Sequence, residues 1–299
     1  VLASMIGVMC GAAPIPYNTI GFFMGPLNAE FGWSFGQIGF GIAIFGVTAS
    51  LLAPLFGWMV DRFGVRPVAL TSLITFGLSF AAFAFTPANI WGFYGLWLVL
   101  GFVGIGSTPV TWSRAINLWF FKKRGLALGL TLIGTSLAAV FLPRLTVTLM
   151  EEFGWRGAFP GLAMLPIFLA FPIAFFLFKE PKADERPKEI SSSSGQNISG
   201  VTLNIALKDR RFWIIFTSIF TMALAYGGAH IHLPQILGQS GFSPKNAATI
   251  LGSLGIAIFV GRLLTGYLLD KFFAPFVTLP ILGLPALACW ILLGDGIST

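Results

Sequence analysis

Apolar runs of about 20 residues, each long enough to cross a ~30 Å hydrocarbon core, recur along almost the whole chain. A polypeptide built this way can satisfy its backbone hydrogen bonds in lipid only as a bundle of helices. Nine runs are legible, at about 3–26, 38–59, 67–86, 90–112, 126–149, 158–178, 212–237, 246–268 and 275–293. Only 10% of the residues are charged, where soluble domains carry about 25%, so most of the surface faces lipid. The 36 glycines fit helices that pack closely through small residues.

The charges that remain orient the bundle. Of the 18 lysines and arginines, fourteen lie in the loops that follow even-numbered runs: Arg62 and Arg66, Arg114, Lys122, Lys123 and Arg124, Lys179 through Arg211, and Lys271. The intervening loops hold Arg156 and Lys245, and the runs themselves hold Arg144 and Arg262. This alternation is the signature of membrane orientation, and it rejects nucleic acid as the reason for the net charge of +7. The basic loops, and the N-terminus with them, are expected in the cytoplasm of a cell with a plasma or inner membrane. Cys10 and Cys289 both fall inside apolar runs and give neither a disulfide framework nor a metal spacing. No cofactor motif is present.

Between the second and third runs stands Gly57-Trp-Met-Val-Asp61-Arg62-Phe-Gly64-Val-Arg66-Pro67. A weaker copy, Gly266-Tyr-Leu-Leu-Asp270-Lys271, follows the eighth run. At the same offset Gly32-Trp33-Ser34 falls on Gly241-Phe242-Ser243, and Gly46 on Gly255. Two halves built alike point to solute transport by rocking of one half against the other. The polar, Ser-rich stretch within 179–208 separates them. The expected organisation is a six-helix bundle over 1–178, a cytoplasmic linker over 179–208 and a partial second bundle, helices 7 to 9, over 209–299. Symmetry then calls for three more helices, so the expectation is a fragment of a longer chain.

The Gly57–Pro67 turn resembles the loop 2–3 signature of the major facilitator superfamily, with Gly57, Asp61, Arg62, Gly64 and Arg66 at the family's spacing. The resemblance implies two six-helix bundles related by a pseudo-twofold axis, about nine of the twelve helices being present. It implies that this turn, with Gly266, Asp270 and Lys271 in the second copy, serves gating. Trp119-Phe-Phe-Lys122-Lys123-Arg124-Gly125, Glu30-Phe-Gly-Trp33-Ser and Gly154-Trp155-Arg156 look like the monocarboxylate transporter and oxalate–formate antiporter group.

Five residues are candidates for holding a solute. Arg262 lies two turns before Asp270, about 12 Å deep at 1.5 Å per residue. An arginine at a helix centre costs about 2.5–3.5 kcal/mol and usually faces a cavity or a partner. Its repeat-equivalent is Ala53, so it breaks the internal symmetry, as a one-sided binding site would. A guanidinium suits an organic carboxylate; the competing reading is an ion pair or a gate. The resemblance places a substrate arginine at this position. Two departures, Ile258 where that group has an aspartate and Tyr17 where it has a lysine, favour an uncoupled or exchange mechanism. Tyr17 and Asn18 sit mid-run between Pro16 and Gly21, where a break would bend helix 1 toward the cavity. Arg144 is a second anchor or snorkels outward. His230 and His232 point to different faces at i and i+2, and His230 is the one assigned to the cavity.

The leading expectation is a secondary transporter of small mono- or dicarboxylates working by alternating access, with a proton or counter-anion as companion. An exporter of lipophilic solutes would want acidic residues in the spans, which hold almost none. A non-transporting receptor of the same fold stays open, and a monomer is the expected state. No phosphate-binding loop supports direct ATP drive, and no paired carboxylates or nucleophile–base set supports an enzyme.

Overall fold

The computed structural model describes residues 1–120, 124–180, 203–273 and the pairs 276–277, 280–281 and 283–284. Among them there is no strand. The helices are α1 (Leu2–Met9), α2 (Pro14–Phe31), α3 (Phe35–Phe63), α4 (Val65–Ala81), α5 (Ile90–Gly104), α6 (Pro109–Trp119), α7 (Arg124–Met164), α8 (Phe171–Leu177), a single turn α9 (Leu203–Ala206), α10 (Arg210–Gln239) and α11 (Pro244–Lys271).

Six helical stretches among the described residues are long and apolar enough to cross a membrane: Phe35–Phe63, Val65–Phe85, Ile90–Trp119, Gly125–Leu177, Arg210–Gln239 and Pro244–Thr265. The first expected span is there as well, broken between α1 and α2. The fifth and sixth run together as one stretch, which reverses at Gly154 (φ 70°, ψ 172°), a conformation that favours glycine. The ninth expected span, 275–293, lies largely outside the described residues.

The break in span 1 falls at Cys10–Ala13, earlier than the Pro16–Gly21 segment named from the sequence. Pro14 and Pro16 lack the N–H that a helix interior needs and are tolerated in a first turn, so α2 restarts at Pro14. The gap is tied to the turn between α5 and α6, in the fourth span, by the Ala12 N–H, which donates to Ser107 Oγ at 3.1 Å. Tyr17 and Asn18 are therefore helical, in the opening turns of α2.

The internal repeat has a local physical cause. Gly32 (φ 71°) and Gly241 (φ 85°) each end a turn in the left-handed region. Two residues on, Ser34 and Ser243 cap the next helix, accepting from Gln37 N at 3.2 Å and Asn246 N at 3.3 Å. Gln37 Oε1 returns the bond to Ser34 N at 2.9 Å, completing a capping box.

A phenylalanine-rich core joins α2, α4, α5 and the second limb of α7. Phe23 stacks on Phe159 at 4.0 Å, and Phe83 meets Trp97 edge to face at 5.0 Å. A second cluster, around buried Trp112 with Val65, Val68, Leu73 and Phe178, lies toward the end that carries Asp61. A third, made of Phe22, Val147, Leu237, Ala247, Ala248 and Leu251, joins α10 and α11 to the first half near the Gly32 and Gly241 turns.

Candidate functional site

Two backbone approaches fix where α10 and α11 meet the first half. A β-carbon on Gly21 would lie 2.5 Å from the Ile231 carbonyl oxygen and 2.7 Å from Pro234 Cγ. A β-carbon on Gly255 would lie 2.6 Å from Val140 N. Helices this close need glycine at the crossing, and a polar contact joins each of the same two helix pairs. Gln235 donates to the Gly21 carbonyl at 2.6 Å, and Lys245 pairs with Glu151 at 3.0 Å. The seam lies toward the Gly32 and Gly241 turns. In the other direction, α10 leaves the first half, and Trp213, Ile214, Ile215, Phe216, Ile219 and Phe220 are exposed.

Directly inside this seam is a cavity of about 340 Å³, contributed by four helices: Tyr17 and Asn18 of α2, Thr135 and Ala139 of α7, Ala223, Tyr226, Gly227 and His230 of α10, and Ile258 and Arg262 of α11. Four of the five candidates read from the sequence thus share one cavity. Tyr17 and Ile258, where the sequence departs from the monocarboxylate pattern, line it as well. Arg144 does not; it is exposed, one residue after Pro143 in α7. His232 turns toward α3, its Nε2 3.2 Å from where a Gly39 β-carbon would stand.

Arg262 crosses to α7. Its Nη1 donates to the Leu132 carbonyl and Thr135 Oγ1, and reaches Ser136 Oγ at 3.4 Å. All three bonds use one nitrogen, so among the described residues Nε and Nη2 keep no protein partner. That pair of N–H groups forms the side-on fork that takes a carboxylate through two parallel bonds. Among the described residues no aspartate or glutamate lines the cavity. Asn18 donates Nδ2 to the Pro14 carbonyl at 2.7 Å, which leaves its carbonyl oxygen to accept. The His230 ring lies parallel to Tyr226, with centroids 5.4 Å apart at 18°. Among the described residues no cluster of three or more His, Cys, Asp or Glu could hold a metal.

Tyr226 and Thr135 are cavity residues that sequence reasoning missed. Thr135 carries a usable signal, a hydroxyl one turn from Gly134 in an apolar run. Tyr226 carries the i, i+4 spacing to His230.

The Gly57–Pro67 turn is held by α3, α4, α6 and the segment just after α8. Gly64 (φ 88°) ends α3, and Asp61 pairs with Arg114 of α6. Glu180 accepts from the N–H groups of Val65 at 2.9 Å and Arg66 at 3.4 Å, capping α4. Arg66 donates to the Phe175 carbonyl at 2.7 Å, and Arg62 lies over the Trp58 ring at 5.5 Å. Gly57 lies within α3. In the second copy Lys271 donates to Tyr267 Oη, while the surroundings of Gly266 and the side chain of Asp270 lie outside what the structure describes. At the opposite end Glu30 accepts from Arg156 at 2.6 Å and from Trp155 Nε1 at 2.7 Å, joining two segments singled out separately in the sequence.

A helical membrane chain with a cavity between its two halves, lined by a few polar side chains, is the architecture of a solute transporter rather than an enzyme. The chain belongs to the Major Facilitator Superfamily, whose family model matches residues 6–297. It is 26% identical over 266 residues to an uncharacterized MFS-type transporter of Bacillus subtilis, covering 89% of this chain and 64% of that protein. It is 26% identical to the galacturonate transporter of Dickeya chrysanthemi, covering 90% of this chain and 82% of the relative. Monocarboxylate transporter 13 of Bos taurus is 25% identical over 77% of this chain and 52% of its own length. The chain thus spans about half to two thirds of two of these relatives. A D-xylose–proton symporter structure superposes with a TM-score of 0.65 at 15% identity, covering 91% of this chain and 68% of that one, and shares the fold.

Proposed function

We propose that this protein is a secondary transporter of small organic anions, carrying mono- or dicarboxylates by alternating access. The observation that supports it is the Arg262 fork, which among the described residues has no partner and shares its cavity with no carboxylate, between helices of both halves. A charge held in a membrane interior is costly without a partner, and a substrate carboxylate supplies one. An acid-free lining disfavours cations, and with them the exporter reading. Tyr17, Asn18 and His230 offer hydroxyl, amide and imidazole groups to the rest of the solute. Arg144 has a lesser part, outside this cavity. The names of the galacturonate and monocarboxylate relatives agree with an anionic substrate.

In this reading residues 1–178 form one bundle, 179–208 a cytoplasmic linker and 209–299 part of the second bundle. The basic loops and the N-terminus face the cytoplasm, and the membrane is the plasma or inner membrane. The Gly57–Arg66 turn with Asp61, Arg62 and Gly64, and its copy at Gly266, Asp270 and Lys271, act as the gate on that side.

Uptake of labelled lactate, oxalate and galacturonate into proteoliposomes tests the proposal beside Arg262→Gln. Saturable flux of one of these, lost in the variant, supports it. Flux that survives Arg262→Gln removes Arg262 from the site, and flux of neutral or cationic solutes alone removes the substrate class.

A further inference from the structure

The cavity has a charge balance that bears on what travels with the solute. Among the described residues its lining carries one fixed positive charge, Arg262, and no aspartate or glutamate. The other groups able to exchange a proton there are His230, Tyr17 and Tyr226. Phenols ordinarily titrate near 10, so only an imidazole changes charge in the physiological range. Among the described residues the elements that line the cavity with His230 bring no charge but that of Arg262: α2 offers Tyr17 and Asn18, α7 Thr135 and Ala139, and α11 Ile258 and Arg262. His232, two residues on, faces Gly39 of α3 instead.

We infer that His230 is the proton-carrying residue of the cycle, so that a carboxylate and a proton enter the cavity together. This rests on the carboxylate reading above. In the empty cavity, protonating His230 would place a second cation in a lining that already holds Arg262 and, among the described residues, no carboxylate. A carboxylate seated on the Arg262 fork removes that obstacle, since an opposite charge within a few ångströms favours the charged imidazole. The coupling is reciprocal: a protonated His230 raises affinity for the anion by the factor by which the anion raises affinity for the proton. The Tyr226 ring, parallel to the imidazole at 5.4 Å, offers its π face to the imidazolium. One proton from solvent adds to a ring nitrogen on one side of the membrane and leaves to solvent on the other. With a monocarboxylate no net charge crosses. The expectation of exchange without protons rested on positions 17 and 258; His230 is a third position in the same cavity.

The test uses proteoliposomes holding the unmodified protein or His230→Gln, with labelled lactate and galacturonate as probes. Coupled one to one, a pH step of one unit sustains about a tenfold accumulation on the alkaline side. In His230→Gln the same step sustains none, although labelled carboxylate still exchanges at a reduced rate. Exchange by the unmodified protein without accumulation overturns the proton role of His230 and leaves the carboxylate reading standing. Undiminished accumulation in His230→Gln does the same. Absence of exchange of either probe in the unmodified protein overturns both. Should His230→Gln fail to reach the membrane, proton uptake by the detergent-solubilised protein on adding lactate is read instead. Uptake that follows the titration of an imidazole supports the inference, and no uptake overturns it.

Discussion

Gln235 gives its side-chain amide to the carbonyl of Gly21 at 2.6 Å, and this bond bridges the two halves about one turn beyond Asn18 and His230. It lies on the side of the cavity toward the Gly32 and Gly241 turns. The same crossing leaves no room for a β-carbon at Gly21. Forcing extra atoms into a packed contact costs about 1–3 kcal/mol, and 1.4 kcal/mol is a tenfold change in an equilibrium. Gly21→Val is expected to hold this end open and to slow transport. The check is an Ala139→Cys reporter labelled by an impermeant thiol reagent from that side. Labelling should be roughly tenfold faster in the Gly21→Val background; equal rates would show that the crossing is not a gate.

Arg262 is aimed by Thr135, which accepts from the nitrogen that faces α7. Thr135→Val removes that acceptor and lets the fork swing, so KM should rise with kcat less affected, while Thr135→Ser restores the hydroxyl and the KM. Arg262→Lys keeps the charge but loses the planar fork. A hydrogen bond to a charged group contributes about 1.5–3 kcal/mol, so its KM should rise on the order of tenfold or more. Both are read from concentration-dependent uptake of labelled lactate. An unchanged KM in Arg262→Lys would mean that the fork geometry is not used.

The fold was legible because its signals are local. Spans follow from runs of apolar residues, and the two-half repeat follows from a left-handed glycine and a capping serine that recur at Gly32–Ser34 and Gly241–Ser243. The candidate cavity was legible only in its charged and polar members. Arg262 and His230 stand out in apolar runs because burying them is costly, whereas Tyr226 looks like the exposed aromatics Phe216 and Phe220 along the same helix. Which face of a long helix turns inward depends on packing between distant segments. The same limit hid the partnership of Gln235 with Gly21 and the tethering of Arg262 to α7. The break in span 1 was misplaced because Pro16 and Gly21 read as a kink between them, whereas Pro14 and Pro16 restart the helix after a gap at Cys10–Ala13.

Glu180 caps α4 by accepting from the Val65 and Arg66 N–H groups just after Gly64. A carboxylate at a helix N-terminus contributes about 0.3–1 kcal/mol. Glu180→Gln keeps an acceptor and loses the charge, whereas Glu180→Ala loses both. The melting temperature in detergent should therefore fall in the order wild type, Gln, Ala. With about 2–4 °C per kcal/mol in a protein of 150–250 residues, the Ala variant should lose a few degrees. No difference between Ala and wild type would show that the cap is idle.

Glu30 lies in the last turn of α2, beyond the 3–26 apolar run, and its carboxyl is held below the ordinary 4.5, first by the hydrogen bond from Arg156 and also by that from Trp155. A depressed folded value means that the ionised form is the one the fold favours. The contribution is therefore complete above the unfolded value and is lost as pH falls through the lower folded value. Both partners are partly exposed, with side chains 41% and 43% accessible, so water and salt screen the pair and its share of stability is small. Wild type should lose melting temperature as pH drops from about 5 to 3 in excess of what Glu30→Gln loses over the same range. The difference should shrink at high salt. Parallel curves for the two proteins would mean that Glu30 and Arg156 do not stabilise this end of the bundle as a charged pair.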